Sequence, residues 1–277
     1  SPPTGLPFPV VRATTRSDTT PGSPLSLVRL PNSDVTILEG SMQVRSGPVV
    51  VTCAVADPMA YAGSVFCGAL KAAGIILEGS TTSGTAPDSG VQVIGAVSSA
   101  PTDVLVRRFL KESDNLLGEA LVKQLGRAAN GEGSWRSGLT AIRRRLAEFA
   151  DIDSTTYRLA DGSGLSRYTE ISPRMIVQVI ARACDEFTVA PEFLSALAVG
   201  GVDGTLAHRL TDTDLAGYVR GKTGTMSGIG SFSGIVATRD SERLAFALLM
   251  NGFVGPSAQL RRAQDDVVRA LRHYPWS

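Results

Sequence analysis

Between residues 101 and 126 apolar positions recur at helical spacing. Val104, Phe109, Leu110, Leu117, Leu121 and Leu125 in "PTDVLVRRFLKESDNLLGEALVKQLG" line apolar faces. Ser113, Asp114 and Asn115 interrupt that pattern midway. Such side chains compete for backbone hydrogen bonds, so the stretch predicts two helices joined by a short polar turn. "SWRSGLTAIRRRLAEFAD" predicts an amphipathic helix with a basic face, and "SPRMIVQVIARACDEF" a helix with Pro173 in its first turn behind Ser172. The period then shortens to two. "AGYVRGKTGTMSG", "GSFSGIVATRD" and "ERLAFALLMNG" read as three successive strands, the last two joined by a hairpin at "RDSE". "PSAQLRRAQDDVVRALRHY" is a closing helix.

The amino-terminal third is less regular. Residues 1–25 are rich in Pro, Ser, Thr and Gly and read as extended chain or linker. "DVTILEG", "GPVVVTCAVADP" and "VQVIGAVSS" are β-branched and apolar, and each is expected as a strand; "PMAYAGSVFCGALKAAGI" is expected as a helix closed by Gly74. The pattern therefore predicts an extended stretch over 1–25, a mixed α/β region over 26–99 and an α+β domain over 100–277, with antiparallel strands and a helix packed on the sheet.

Composition narrows the function classes. Of 277 residues, 43% are hydrophobic and 19% charged, with a net charge of +1. That is an ordinary globular balance, and nothing global points to nucleic acid or an anionic membrane. No apolar run has membrane length, and the start carries no signal-peptide pattern. The chain begins at Ser1, which reads as a mature or truncated start. Cys53, Cys67 and Cys184 are too few for a disulfide framework. Cys53 and Cys67 are either a bridge or small apolar side chains. His208 and His273 stand alone, so no metal site is expected, and no cofactor is implied; His273 fits a helix C-terminus, where a cation is favoured.

Two short motifs carry the candidate chemistry. Ser113-Asp114-Asn115 reads either as a helix cap or as a catalytic loop. Lys222-Thr223-Gly224 lies inside a strand, where glycine marks close approach of a ligand or backbone. A lysine with Thr223 and Thr225 suits an anionic group such as a carboxylate, or else is an exposed edge lysine that discourages aggregation. The chain has only four lysines, Lys71, Lys111, Lys123 and Lys222, which makes one inside a motif less incidental. A given tripeptide arises by chance in such a chain roughly a few per cent of the time, so the ordered pair is informative.

With those motifs, and with "LADGSGLSRYTEISPR", "GGVDGTLAHRL" and "RGKTGTMSGIGSFSG" in order, the chain resembles the D-alanyl-D-alanine carboxypeptidases of the penicillin-binding protein 4 type, peptidase family S13, over about residues 26–270. The resemblance implies a penicillin-recognising antiparallel sheet flanked by helices, with residues 26–99 as the remainder of an inserted domain. It implies peptidoglycan stem peptides and β-lactams as partners, outside the cytoplasmic membrane. It further implies that Ser113 relays a proton to the leaving D-alanine, that Asn115 bonds the substrate carbonyl, and that Lys222 supplies positive charge. Thr223 and Thr225 would hold the terminal carboxylate, with Gly224 between them and the Thr225 N–H as an oxyanion donor. Arg167 either pairs with a carboxylate in the cleft or ties its loop to the core. Asp161 and Asp203 are expected as turn residues.

The family's Ser-x-x-Lys, which supplies the nucleophile, is not found. Gly68, Arg108, Ala120 and Val219 stand three residues before the four lysines. The expectation is a C-terminal portion of a longer enzyme, inactive alone, that needs an N-terminal segment carrying Ser-x-x-Lys. A pseudoenzyme that binds peptidoglycan is the alternative; a third reading, a β-lactamase-like esterase, is disfavoured by the inserted region and by "DGSGLSR".

Overall fold

The computed structural model describes residues 10–275, apart from positions 20–22, 24, 32, 34, 51–52, 80–81, 86 and 88. The chain divides into two compact units, Ser1–Ala96 and Val97–Ser277.

In the first unit, β1 (Val10–Asp18) runs parallel to β3 (Val35–Gln43), and β2 (Ser26–Arg29) pairs antiparallel on its other side. Residues 10–18, expected from composition as linker, thus form a paired strand; the linker expected over 1–9, 20–22 and 24 lies outside the described residues. Helix α1 (Pro58–Ala72) starts where expected, because the Asp57 carboxylate accepts from the Met59 and Ala60 amides, each at 3.0 Å. Two expected strands do not form. Residues 47–50, 53–57 and 91–99 have no ladder partner among the described residues, and Val91, Val93, Ile94 and Val97 are exposed. β-propensity measures fit to a half-buried pleated surface, and these residues have no neighbouring strand to pack on. Cys53, Cys67 and Cys184 are each half-buried and none is in a disulfide, so the Cys53–Cys67 bridge is not formed.

The second unit holds the predicted helix pair. Helix α2 (Thr102–Glu112) closes at Ser113, which adopts the left-handed conformation at φ 58°, and α3 (Asn115–Asn130) begins behind Asp114, whose carboxylate accepts from the Leu117 amide at 3.0 Å. Helices α4 (Trp135–Ala150) and α5 (Pro173–Asp185) start at caps provided by Ser134 and Ser172. Helix α6 (Ala190–Ala196) leads into a two-residue strand, β4 (Ala198–Val199), neither of which the sequence pattern announced. Strands β5 (Val219–Met226), β6 (Ile229–Ala237) and β7 (Arg243–Asn251) follow as expected, then α7 (Ser257–His273), which carries His273 as its last residue. The sheet order is β4-β5-β6-β7, antiparallel throughout.

Strand alternation sorts this sheet into two faces. Val219, Phe232, Val236 and Phe246 point toward Val268 of α7. Phe232 and Phe246 meet edge to face at 5.0 Å. Ile235 points the other way, with Ile180 of α5 and Leu197. Each such large apolar side chain stabilises the fold by about 1.5–3 kcal/mol through burial. Helices α3 and α4 meet through glycine: a Cβ on Gly126 would come within 2.6 Å of the Gly138 nitrogen.

Candidate active site

The site is built where the α2–α3 turn meets strand β5. Lys222 leaves β5 on the α5 face and donates to the Ser113 hydroxyl at 2.7 Å and to the Thr223 carbonyl at 2.6 Å. Ser113 is therefore both a helix terminator and a placed hydroxyl: its left-handed backbone ends α2 and turns the side chain toward the sheet. The two motifs, 109 residues apart in sequence, form one contact. Burial pushes the Lys222 amine below the ordinary lysine range.

Thr223 points to the opposite face, and its hydroxyl bonds that of Thr205 at 2.9 Å. Thr225 is exposed farther along the strand. Gly224 shares the Lys222 face, where a Cβ would stand 2.5 Å from the Ser231 hydroxyl. Asn115 is exposed in the first turn of α3.

The outer edge of β5 is only partly covered. Strand β4 pairs with Arg220 and Gly221 and no further. The Gly200 amide donates to the Val219 carbonyl at 2.9 Å, so Val219 turns its backbone toward β4. Alternation then turns the N–H and C=O of residues 221, 223 and 225 to the same side. At Thr223 and Thr225 that side has no strand among the described residues. An extended peptide could pair there.

Three supports hold these pieces. Lys111, two residues before Ser113, donates to the Asp203 carboxylate at 2.5 Å and to the Leu197 carbonyl at 3.1 Å. Asp203 also accepts from the Val199 amide at 2.8 Å. Burial would raise the Asp203 carboxyl, but the hydrogen bonds from Lys111 and Val199 outweigh it and hold the group below the usual carboxylate range. Glu119 of α3 accepts from the Trp135 indole at 2.7 Å and from the Gly162 and Ser163 amides at 3.0 and 3.1 Å. It fastens the loop of "DGSGLSR" to the helix. Asp161 organises the same loop, accepting from the Ser163 hydroxyl, the Ser166 amide and the Thr169 hydroxyl. Arg167 is exposed and donates to the Ser227 carbonyl at 3.2 Å, at the β5–β6 turn.

Sequence reasoning singled out Ser113 and Lys222 but missed Thr205, Glu119 and the Lys111–Asp203 pair. The scarcity of lysine was a usable signal for Lys111; Thr205 lies in "GGVDGTLAHRL", but nothing there assigned it a role, and nothing local distinguished Glu119.

The profile of the D-Ala-D-Ala carboxypeptidase 3 (S13) family matches residues 11–274. The chain belongs to that family. It is 33% identical over 242 residues to the D-alanyl-D-alanine carboxypeptidase of Actinomadura sp. (strain R39), covering 85% of this chain and 44% of that protein. It is 31% identical over 188 residues to carboxypeptidase DacB of Mycolicibacterium smegmatis, covering 66% of this chain and 40% of that protein. The S13 chain thus spans somewhat under half the length of these relatives. Penicillin binding protein 4 of Haemophilus influenzae, in a crystal structure complexed with a β-lactam, shares the fold, with TM-score 0.75 and 24% identity over 96% of this S13 chain and 64% of that one.

Proposed function

We propose that this chain is the C-terminal part of a serine-type D-alanyl-D-alanine carboxypeptidase or endopeptidase that acts on peptidoglycan stem peptides outside the cytoplasmic membrane and binds β-lactams. The observation that carries the reading is the 2.7 Å contact between Lys222 and Ser113 at the open edge of β5. Acyl-serine chemistry needs a nucleophile, a proton donor for the leaving amine and an oxyanion hole. Here Ser113, polarised by Lys222, passes a proton to the departing D-alanine nitrogen. Asn115 bonds the substrate's peptide carbonyl. The Thr223 and Thr225 hydroxyls hold the terminal carboxylate, with Lys222 as nearby positive charge, and Gly224 keeps the strand bare between them. The Thr225 N–H faces the substrate as one oxyanion donor. Arg167, which donates to the Ser227 carbonyl at the β5–β6 turn, pairs with a carboxylate of the substrate or else ties its loop to the sheet.

The nucleophile comes from a segment bearing Ser-x-x-Lys, which this chain does not contain. An apolar hollow of about 210 Å³ beside Lys222, walled by Leu110, Ile176, Ile180 and Phe193, is suited to receive it. Residues 26–99 are then the remainder of an inserted domain. Removing the nucleophile of a serine hydrolase leaves roughly 10³–10⁴ over water, and losing an oxyanion donor costs a further 10²–10³ or so, so the chain alone has no practical turnover. The alternative is a catalytically dead peptidoglycan-binding protein of the same fold.

The test has two arms. The chain alone is incubated with a peptide ending in D-Ala-D-Ala and with a fluorescent penicillin; no D-alanine release and no covalent label are expected, and turnover would refute the assignment of the nucleophile to another segment. The intact mass and upstream sequence of the natural protein are then determined: Ser-x-x-Lys upstream of Ser1 supports the enzyme, and a native start close to Ser1 supports the binder.

A further inference from the structure

Building on the proposed peptidase reading, we propose that Thr205 is a further substrate-binding residue, the hydroxyl that closes the end of the groove and receives one oxygen of the peptide's terminal carboxylate. After β4 the chain doubles back through a 3₁₀ turn, Gly204–Leu206, and brings Thr205 alongside Thr223, past the last β5 residue that β4 covers. The turn is held from below. Gly204 adopts φ +57°, and a Cβ there would lie 2.7 Å from the Lys111 carbonyl, so only glycine lets the turn approach α2 this closely. Asp203, the residue before it, is fixed by Lys111. The element that sets Ser113 thus also sets Thr205.

The chemistry follows from counting hydrogens. Thr223 and Thr205 are joined by one hydroxyl–hydroxyl bond, at 2.9 Å. Each hydroxyl carries one hydrogen, so the pair keeps one hydrogen free. A carboxylate only accepts, through two oxygens. With Thr223 donating to Thr205, the free hydrogen is that of Thr205, and it reaches a carboxylate without first breaking the pair; the Thr223 hydroxyl then holds the carboxylate through Thr205 rather than directly. Thr205 is exposed, so no desolvated group is disturbed when it turns toward ligand. A terminal amide, which presents donors of its own, satisfies this pair less well than a carboxylate does. Thr205 therefore selects for the free C-terminus.

Calorimetric titration of the chain with acetyl-D-Ala-D-Ala, and with its C-terminal amide, tests this. The unsubstituted chain is expected to prefer the carboxylate. Thr205→Val is expected to weaken binding of the acid about tenfold, the loss of one hydrogen bond to a charged group, while leaving the amide unchanged; Thr205→Ser is expected to restore it. Thr223→Val serves as the reference. If Thr223→Val weakens binding and Thr205→Val does not, the assignment of Thr205 falls while the peptidase reading stands. Equal binding of acid and amide by the unsubstituted chain also overturns the assignment. If the unsubstituted chain binds neither peptide, the carboxylate site assigned to this chain's own residues falls and takes this inference with it, while the family membership is untouched. Because Thr205 is exposed, its variants keep the native melting profile, which circular dichroism checks.

Discussion

Lys222 on strand β5 donates to the hydroxyl of Ser113, the residue that ends helix α2, at 2.7 Å. The contact joins a sheet edge to a helix–helix turn and costs the lysine part of its hydration. That cost has a pH signature. Burial lowers the folded-state pKa of Lys222 relative to the unfolded chain. Below the folded value both states are charged and the folded state bears the whole penalty. As pH rises from there toward the ordinary lysine range, the unfolded chain binds more protons and stability increases. Urea unfolding followed across that window should show the rise, and Lys222→Met should abolish it. An unchanged pH slope in the variant would show that Lys222 is not desolvated.

The Lys111–Asp203 pair should matter for stability. Its side chains are about 19% and 38% exposed, so solvent screens it in part. Asp203→Ala removes the partner of Lys111 and the acceptor of the Val199 amide, and is expected to cost about 1–3 kcal/mol near neutral pH. The folded-state pKa of Asp203 is depressed, so the contribution is present above the usual carboxylate range and is lost as pH falls through the folded value. Denaturant midpoints of the two proteins should therefore converge in acid; a gap that persists there would mean the carboxylate is not the cause.

Much of this arrangement was legible in the sequence, and the rest was not for physical reasons. Helical period and the Ser113-Asp114 break gave α2 and α3, because capping is a local matter of two or three residues. Strands β5, β6 and β7 were legible because each buries one face on α7 or α5. "GPVVVTCAVADP" and "VQVIGAVSS" failed because apolar β-branched residues make a strand only when another strand pairs with them. The Ser113 and Lys222 motifs were visible as words, but their contact depends on the fold. Thr205 reaches Thr223 only because Gly204 permits a close turn, and no local spacing announces that.

Glu119 is expected to control the order of the 161–167 loop. It accepts from the indole of Trp135 and the amides of Gly162 and Ser163, and its carboxyl is held low because those hydrogen bonds outweigh burial. Glu119→Ala should accelerate hydrogen exchange at Gly162 and Ser163 while leaving the β6 amides protected, at a global cost of about 1–3 kcal/mol. Exchange that is unaltered at those two amides would contradict the role.

Strand β7 pairs only with β6 among the described residues, and Leu244, Leu248 and Met250 on it are incompletely buried. An unpaired apolar edge is a template for association. The chain in isolation should therefore self-associate in light scattering and bind a hydrophobic dye. A monomer with low dye binding would show that the edge is protected.

The most direct measurement is an amide-resolved NMR titration of the chain with acetyl-D-Ala-D-Ala. The groove predicts shifts that cluster at Ser113, Asn115, Thr223 and Thr225 and that weaken in Lys222→Ala, with no D-alanine released. Shifts scattered over unrelated surfaces, or none at Ser113 and Thr223, would contradict the claim that the α2–α3 turn and β5 form one substrate site.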